Sequence, residues 1–196
     1  MSGGTLKVNV YPRGSLVKSP DLFSAVADGV ADMYHAIEHY WEENTKALNF
    51  FASVPFGLTA TEQSAWINFG GGQELWDEVG KVFGVKPFLA GNTGVQMGGW
   101  FNKQVNTIDD FQGLRIRMPG FGGTVLKRIG AQPITLPSSQ IFDAIETGKL
   151  DATEWFGPWF DYEFGLHKIT KYYYYPGFQE PGTSLSSSIN LDVWGS

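Results

Sequence analysis

The chain of 196 residues is predicted to adopt an α/β fold, because three observations point to alternating strands and helices around an apolar core. Between residues 113 and 155, three short apolar runs alternate with two helical segments, which is the pattern of a βαβαβ unit with parallel strands. The first 91 residues show a similar alternation. A hydrophobic content of 42% and a charged content of 17% are typical of a globular protein rather than a disordered one.

The first half of the chain contains recognisable signals for where helices and strands begin. Leu6 to Val10 alternates apolar and polar residues as a strand does. Ser19 followed by Pro20 is typical of a helix start, and Thr59 with Glu62 has the spacing of a capping box. The predicted elements are a strand at 6–10, a helix at 20–29, a strand at 31–37, a helix after Thr59, a helix at 73–84 and a strand at 85–91.

The second half contains the predicted parallel unit. Its strands are expected at 93–101, 114–118, 132–136, 150–155, 172–177 and 186–194, and its helices at 122–129, 138–148 and 157–168. In this arrangement Arg117 and Glu154 fall near the carboxyl ends of neighbouring strands, where open α/β sheets place their ligands. The pattern therefore predicts a small-molecule site at that edge of the sheet.

The composition excludes several classes of function. The chain has a net charge of −6 at pH 7, with 14 lysines and arginines against 20 acidic residues. Nucleic-acid binding depends on clustered positive charge, so we expect no nucleic-acid partner. The absence of cysteine rules out disulfide bonds, thiolate zinc sites and cysteine nucleophiles. No apolar run approaches the roughly 20 residues that a membrane-spanning helix needs.

A glycine-rich turn at 120–123 follows a predicted strand and opens a predicted helix, which is the setting of a dinucleotide-binding fingerprint. The fingerprint is incomplete, because Val125 occupies the position of its third glycine and no acidic residue ends the next strand. The turn is therefore interpreted as structural, with glycines that allow tight packing of the strand against the helix. An NAD(P)-dependent α/β enzyme acting on a small organic acid remains the alternative.

Two histidines suggest a second catalytic motif. His35 and His39 are four residues apart in the sequence HAIEH, which matches the inverted HxxEH order of some zinc hydrolases. Residues 31–37 are predicted as a strand, however, so the two rings would not share a helical face. The simpler interpretation is two histidines near a loop. A serine hydrolase is not indicated, because the chain contains no GxSxG motif.

The predicted strand LRIRM contains a candidate anion-binding residue. Leu114, Ile116 and Met118 share one face of this strand, while Arg115 and Arg117 share the other. At the edge of a cleft, the planar guanidinium of an arginine matches a carboxylate in a bidentate manner. Arg117 is therefore a candidate for binding a small organic acid. The alternative is an exposed arginine or a structural ion pair.

Glu154 raises a question of charge, because a carboxylate beside a bound carboxylate repels it unless a proton or a cation lies between them. Hard cations take oxygen ligands from carboxylates, amides and backbone carbonyls, which Glu154, Gln96 and the main chain of Trp155 offer. A purely structural glutamate is the alternative. The expected walls of such a pocket are four aromatic residues: Trp155, Phe156, Trp159 and Phe160.

Four segments of the chain, in this order, resemble segments of a known protein family. They are GNTGVQMGGWF at 91–101, GLRIRMPG at 113–120, GAQPITLPSSQIFDAIETGKLDATEW at 130–155 and KYYYYPGFQEPG at 171–182. With these segments the chain resembles the DctP-type extracytoplasmic substrate-binding proteins of TRAP transporters, in particular the branch that binds 2-oxo acids or lactate. The resemblance covers nearly all of the chain.

This resemblance implies a periplasmic-binding-protein type of α/β fold with two lobes and hinge strands. We expect residues 1–94 to form part of the first lobe, 95–180 to form the second lobe, and 181–196 to return to the first lobe as a strand. Family members normally have a signal peptide, a first strand and helix, and long carboxyl-terminal helices, so the chain is expected to be truncated at both ends. Unpaired sheet edges would then favour self-association.

The resemblance also implies a function that involves no catalysis. Similar proteins capture a small 2-oxo or 2-hydroxy monocarboxylate in the periplasm and deliver it to the membrane subunits of a TRAP permease. Arg117 matches the arginine that grips the carboxylate. Gln96, Glu154 and the main chain of Trp155 match residues that hold a bridging Na⁺ or Ca²⁺. The first-lobe residues expected near the cleft are Tyr34, Tyr40 and Trp41.

Overall fold

The computed structural model describes residues 2–196, which form a mixed α/β fold with two β-sheets. Within these residues the strands are β1 (Met33–Ala36), β2 (Val85–Asn92), β3 (Gly99–Phe101), β4 (Arg115–Arg117), β5 (Gln132–Ile134), β6 (Ala152–Thr153), β7 (Tyr172–Tyr174) and β8 (Ser184–Asn190). The α-helices are α1 (Leu22–Ala27), α2 (Leu48–Ala52), α3 (Ala60–Phe69), α4 (Gly72–Val82), α5 (Gly120–Arg128), α6 (Ser138–Glu146), α7 (Pro158–Phe164) and α8 (Leu191–Trp194). The predicted α/β fold class is confirmed.

The first sheet has three antiparallel strands in the order β1-β8-β2. The central strand β8 comes from the far end of the chain, so this sheet depends on contacts between residues more than 90 positions apart. Its hydrophobic core is formed by α1, β1 and the segments that follow them. The core residues are Phe23, Val26, Tyr34, Trp41, Leu48 and Val85.

The second sheet has five strands in the order β5-β4-β6-β3-β7. Strand β4 is parallel to both β5 and β6, with α5 and α6 as the crossover helices, so the predicted βαβαβ unit is confirmed. Strand β3 is antiparallel to its neighbours β6 and β7. The apolar face of the LRIRM segment lies in the core of this sheet, where Leu114, Ile116 and Met118 are almost fully buried.

Local signals in the sequence explain several element boundaries. Helix α3 begins with the predicted capping box, in which the Glu62 carboxylate accepts a hydrogen bond of 2.9 Å from the Thr59 backbone N–H. The glycine turn at 120–123 packs α5 tightly onto β4, because a Cβ atom on Gly123 would collide with the carbonyl oxygen of Met118. The structural interpretation of that turn is therefore supported.

At the ends of the chain, the strand predicted at 6–10 is wrong, and the strand predicted at 186–194 is confirmed only as far as Asn190. Residues 6–10 form no regular structure, and Val10 is 85% exposed. A segment with alternating apolar residues becomes a strand only when another strand pairs with it, and none within residues 2–196 does so here. The segment 191–194 is helix α8 rather than strand. The Asn190 side chain caps this helix by accepting hydrogen bonds from the backbone N–H groups of Asp192 and Val193.

Two connections link the sheets within residues 2–196, one from β2 to β3 and one from β7 to β8. They run side by side and are joined by backbone hydrogen bonds. The N–H of Gln96 donates to the carbonyl of Glu180 at 3.1 Å, and the N–H of Thr93 donates to the carbonyl of Thr183 at 2.9 Å. These connections bring polar residues to the region between the sheets. None of the helices in the described chain is long and apolar enough to cross a membrane.

Candidate ligand-binding site

A small cavity lies between the two sheets, with about 190 Å³ of space inside it and at its mouth. It is far too small for a drug-sized molecule, so its lining is suited to contact a small molecule or an ion. It is bordered by both sheets and by the two connections between them. The lining residues are Ile37, His39, Tyr40, Gln96, Arg117, Pro119, Glu154, Trp155, Phe156 and Glu180.

Arg117 is the last residue of β4, and its side chain enters the cavity with only 2% of its surface exposed. Its Nη1 atom forms an ion pair with the Glu154 carboxylate. Its Nη2 atom donates to the Tyr40 hydroxyl at 3.3 Å, and Nε donates to the Leu136 carbonyl at 3.4 Å. The guanidinium also lies 5.4 Å from the centre of the Trp155 ring. Arg117 is thus held in place from both sides of the cavity.

Glu154 directly follows β6, the parallel neighbour of β4, and its backbone N–H donates to the Arg117 carbonyl at 3.1 Å. The expected meeting of Arg117 and Glu154 at neighbouring strand ends is therefore confirmed. Burial raises the pKa of the Glu154 carboxyl well above its usual range, and the adjacent Arg117 cation opposes this increase. Two more charged or ionisable groups, Glu180 and His39, lie at the same cavity.

Gln96 lies on the first connection and is 2% exposed. Its Nε2 group, which has two hydrogens to donate, lies within hydrogen-bond distance of acceptors on Glu180, Thr93 and Thr183. Its Oε1 atom is buried and has no hydrogen-bond partner among residues 2–196. A buried acceptor without a partner is costly in a folded protein, so an electropositive partner fits this position. Together with the Glu154 carboxylate, it offers the oxygen donors that a hard cation requires.

His39 adds a neutral polar group to the cavity. Its ring is almost fully buried and packs edge-to-face against Tyr40, with a centroid distance of 4.7 Å. Burial and the nearby Arg117 cation lower the pKa of His39 to about 3. Its Nδ1 atom lies 3.9 Å from Glu180, whereas Nε2 has no hydrogen-bond partner in the described part of the chain. His39 can therefore donate to or accept from a bound ligand without adding charge.

Some of the predicted site residues line the cavity, and others do not. Tyr40 and Trp155 line the cavity with Arg117, Gln96 and Glu154. Tyr34 and Trp41 do not, because both rings are buried in the core of the first sheet, where they pack on Phe23. Tyr34 donates its hydroxyl hydrogen to Glu38, and the Trp41 indole N–H donates to the Pro20 carbonyl. Their assignment to the cleft is corrected.

The expected aromatic wall is also only partly correct. Trp155 and Phe156 line the cavity, but Trp159 and Phe160 lie on the outer face of α7 and are 74% and 61% exposed. The buried residue of α7 is Asp161, whose carboxylate accepts a hydrogen bond of 2.9 Å from the Phe156 backbone N–H. The helix therefore anchors the cavity wall through its acid rather than through its aromatic rings.

Sequence reasoning missed His39 and Glu180 as cavity residues. His39 lies in a 3-10 turn (Glu38–Trp41), and Glu180 lies in an irregular segment before β8, so no periodic pattern indicates the direction of either side chain. The two histidines of the HAIEH motif are separated in the structure, since His35 lies exposed on β1 while His39 is buried. Within residues 2–196, no group of three or more histidine and acidic side chains is placed to hold a metal ion.

A comparison with protein families matches the whole chain, residues 1–196, to the bacterial extracellular solute-binding proteins of family 7. A curated relative, the monocarboxylate 2-oxoacid-binding periplasmic protein of a Nostoc species, is 41% identical over 99% of this chain and 53% of its own length. The chain therefore spans about half the length of this relative.

Two solved structures are closely similar. A TRAP periplasmic solute-binding protein from Pseudoalteromonas atlantica with bound sodium and pyruvate is 45% identical, with a TM-score of 0.87 over 90% of this chain and 53% of that one. A TRAP transporter solute-binding protein from Bordetella bronchiseptica is 36% identical, with a TM-score of 0.96 over 98% of this chain and 57% of that one. It is a dimer of mixed occupancy with calcium and picolinate in one site.

These matches agree with the fold. The family consists of solute-binding receptors, so the enzyme alternative is not supported. The resemblance of the four sequence segments to TRAP binding proteins is confirmed. The chain belongs to the bacterial extracellular solute-binding proteins of family 7.

Proposed function

We propose that this chain captures a small 2-oxo or 2-hydroxy monocarboxylate together with a bridging Na⁺ or Ca²⁺. The main support is the meeting, in one small cavity, of the buried Arg117–Glu154 pair with the unpartnered Oε1 atom of Gln96. Neither an exposed arginine nor a purely structural ion pair requires a buried acceptor without a partner beside it. The alternative readings of Arg117 and Glu154 are therefore less consistent with the geometry.

In this proposal Arg117 holds the carboxylate of the acid. Its guanidinium is fixed by Tyr40 and the Leu136 carbonyl, so little freedom is lost when the ligand arrives. The Trp155 ring beside it covers the acid from one side and excludes water. His39, with its free Nε2 atom, is placed to contact the 2-oxo or 2-hydroxy oxygen.

The charges around the cavity explain why a cation is needed. Arg117 is the cation of the cavity, while Glu154 and Glu180 are its acids, and a monocarboxylate ligand adds negative charge beside them. Unpaired buried charges are strongly unfavourable. Gln96, Glu154 and the main chain of Trp155 would hold the ion, which supplies the positive charge between the Glu154 and ligand carboxylates. The relatives with sodium and pyruvate, and with calcium and picolinate, support this assignment.

We further propose that the chain acts outside the cytoplasm, in the periplasm, and delivers the acid to TRAP permease subunits. The family consists of extracellular solute-binding proteins, and the Nostoc relative is described as periplasmic. Residues 1–94 with 181–196, and residues 95–180, would form the two lobes that close around the acid. Self-association is proposed as well, with the dimeric Bordetella relative as its support.

Isothermal titration calorimetry tests this function. Pyruvate, longer 2-oxo acids and lactate are titrated into the protein with Na⁺, with Ca²⁺, or after chelation by EDTA. We expect saturable binding of at least one of these acids that weakens when the cation is removed. Binding of NAD(P) in place of the acids, or no binding of any acid under any ionic condition, would contradict the proposal.

A further inference from the structure

The Gln96 amide is surrounded differently at its two ends. Its Nε2 atom lies 2.6 Å from Glu180 Oε2, 3.2 Å from Thr93 Oγ1 and 3.2 Å from Thr183 Oγ1. Its Oε1 atom is buried and has no partner among residues 2–196. Because Gln96 lines the cavity, the two ends of the amide are separated into an anchored nitrogen and a free oxygen.

Hydrogen bonding fixes which atom is the nitrogen. The Thr93 hydroxyl donates its single hydrogen to the Gly94 carbonyl at 2.9 Å, and the Thr183 hydroxyl donates its hydrogen to Glu180 Oε2. Each hydroxyl has one hydrogen, so both oxygens can only accept from Gln96. An amide turned by 180° would place its oxygen against three acceptors and its N–H groups toward the cavity. The arrangement of neighbours, and the Glu180 carboxylate above all, therefore disfavours that orientation.

The three acceptors are themselves held firmly. Thr183 is fully buried and Glu180 is 4% exposed. The Thr183 backbone N–H donates to Thr93 Oγ1 at 3.2 Å, and the Gln96 N–H donates to the Glu180 carbonyl at 3.1 Å. The acceptors thus belong to the two connections between the sheets, which are bonded to each other along this stretch. Neither Glu180 nor the threonines can move away from Gln96 without breaking those bonds.

We infer that Glu180, Thr93 and Thr183 are positioning residues that keep the Gln96 oxygen pointed at the bridging cation. This inference rests on the proposed function, in which Gln96 is a cation ligand. In this inference Glu180 orients the Gln96 side chain and does not contact the ion directly. Outer partners of this kind commonly change metal affinity by roughly 10- to 100-fold when they are removed.

The test compares Thr183→Val with Thr183→Ser. Valine has nearly the shape of threonine without the hydroxyl, whereas serine keeps the hydroxyl. The measurement is the affinity for Ca²⁺ in the presence of saturating pyruvate, and the affinity for pyruvate in EDTA, both by calorimetry. We expect Thr183→Val and Glu180→Gln to weaken Ca²⁺ binding by about tenfold or more. Thr183→Ser should stay within about twofold of the wild type, and the affinity for pyruvate in EDTA should be unchanged in both Thr183 variants, because Thr183 does not line the cavity.

Other outcomes separate the explanations. If Thr183→Val binds Ca²⁺ like the wild type while Glu180→Gln does not, Glu180 acts on the ion through its own charge and the positioning role is overturned. If the wild type depends on the cation and no variant changes that dependence, only this inference fails. If the wild type binds pyruvate equally with and without cations, the proposed cation site fails as well. Should Thr183→Val not fold, Thr93→Val with Thr93→Ser provides the same comparison at a less buried position.

Discussion

Two buried glutamates, one in each half of the fold, differ in what surrounds them. Glu38 follows β1 and Glu154 follows β6, and each is 1% exposed. Glu154 faces the Arg117 cation across the cavity. Glu38 instead accepts hydrogen bonds of 3.0 Å from the hydroxyls of Tyr34 and Ser188. The same side chain is therefore paired with a charge in one sheet and with neutral donors in the other.

This difference shows that burial alone does not indicate a binding role. Burial raises the pKa of Glu38, and the hydroxyl groups around it only partly offset that effect. Glu154 lies beside a fixed cation, an unpartnered amide oxygen and open space. The partners of a buried acid, rather than its burial, separate a binding site from a structural element.

The largest effect is expected from Arg117→Lys. A lysine keeps the positive charge but cannot form the two parallel hydrogen bonds of a guanidinium, so the acid should bind about 10- to 100-fold more weakly. Calorimetry with the best-binding acid measures this loss. Arg115→Lys is the matched control, because Arg115 lies on the same strand but pairs with Asp151 at 2.7 Å outside the cavity. Equal losses in both variants would contradict the role of Arg117.

The comparison of the two glutamates is tested directly by Glu154→Gln and Glu38→Gln. Removal of the Glu154 charge should abolish the dependence of acid binding on Na⁺ or Ca²⁺ and lower the affinity by roughly tenfold or more. Glu38→Gln should leave both quantities unchanged, since its network does not reach the cavity. Titrations with and without EDTA distinguish the two variants. If Glu38→Gln strongly changed the cation dependence of acid binding, the proposed difference between Glu154 and Glu38 would be contradicted.

A third expected effect concerns pH. The His39 pKa is lowered to about 3 by burial and by Arg117, so the folded protein resists protonation of this ring while the unfolded chain accepts a proton near pH 6.5. The contribution of His39 to stability is therefore complete above about pH 6.5. It is lost by about 1.4 kcal/mol per pH unit as the pH falls toward 3.

Urea unfolding at pH 7.0 and pH 5.0 measures this contribution as a difference between variants. The raised pKa values of Glu38, Glu154 and Glu180 act in the opposite direction, but they are common to the wild type and the variant. His39→Gln should lose less stability on acidification than the wild type. His35→Gln, at an exposed position of β1, should behave as the wild type does. Identical pH profiles for His39→Gln and wild type would contradict the burial of a neutral His39.

The smallest effect on acid binding is expected from Gly120→Ala, at a close contact between the segment after β4 and the segments that follow β1. Gly120 has φ +64°, and a Cβ there would lie 2.9 Å from Asn49 Oδ1 and 3.3 Å from His39. Gly148 has a similar φ of +69° with open space around it. Alanine at either position should cost about 1 kcal/mol of stability for the backbone alone. Only Gly120→Ala should also weaken acid binding, by a few-fold, and similar affinities for both variants would contradict the contact.

Much of the fold, and the positions of Arg117 and Glu154 in the site, follow from regular patterns in the sequence. The strand LRIRM has a two-residue period that assigns Leu114, Ile116 and Met118 to the core, which leaves Arg117 at a parallel strand end. Glu154 follows from the same rule applied to the next strand. These predictions succeeded because strand periodicity and parallel topology together determine where a side chain lies.

The remaining site residues could not be obtained in that way. His39 and Glu180 lie in a 3-10 turn and an irregular segment, where tertiary contacts rather than local periodicity set the side-chain direction. Tyr34 and Trp41 were misplaced for a related reason, because an aromatic ring fits a core and a cleft equally well. Polarity alone is equally uninformative in β8, where Ser186 and Ser188 are fully buried, with hydroxyls that donate to the Ala36 carbonyl and the Glu38 carboxylate.

The most direct test of the central claim is a crystal structure of the protein with pyruvate and Ca²⁺, with the ion located by its anomalous scattering. We expect the pyruvate carboxylate on Arg117, and the ion at about 2.3–2.6 Å from Gln96 Oε1, the Glu154 carboxylate and the Trp155 carbonyl. An acid bound without contact to Arg117, or an ion bound away from Gln96 and Glu154, would contradict the claim.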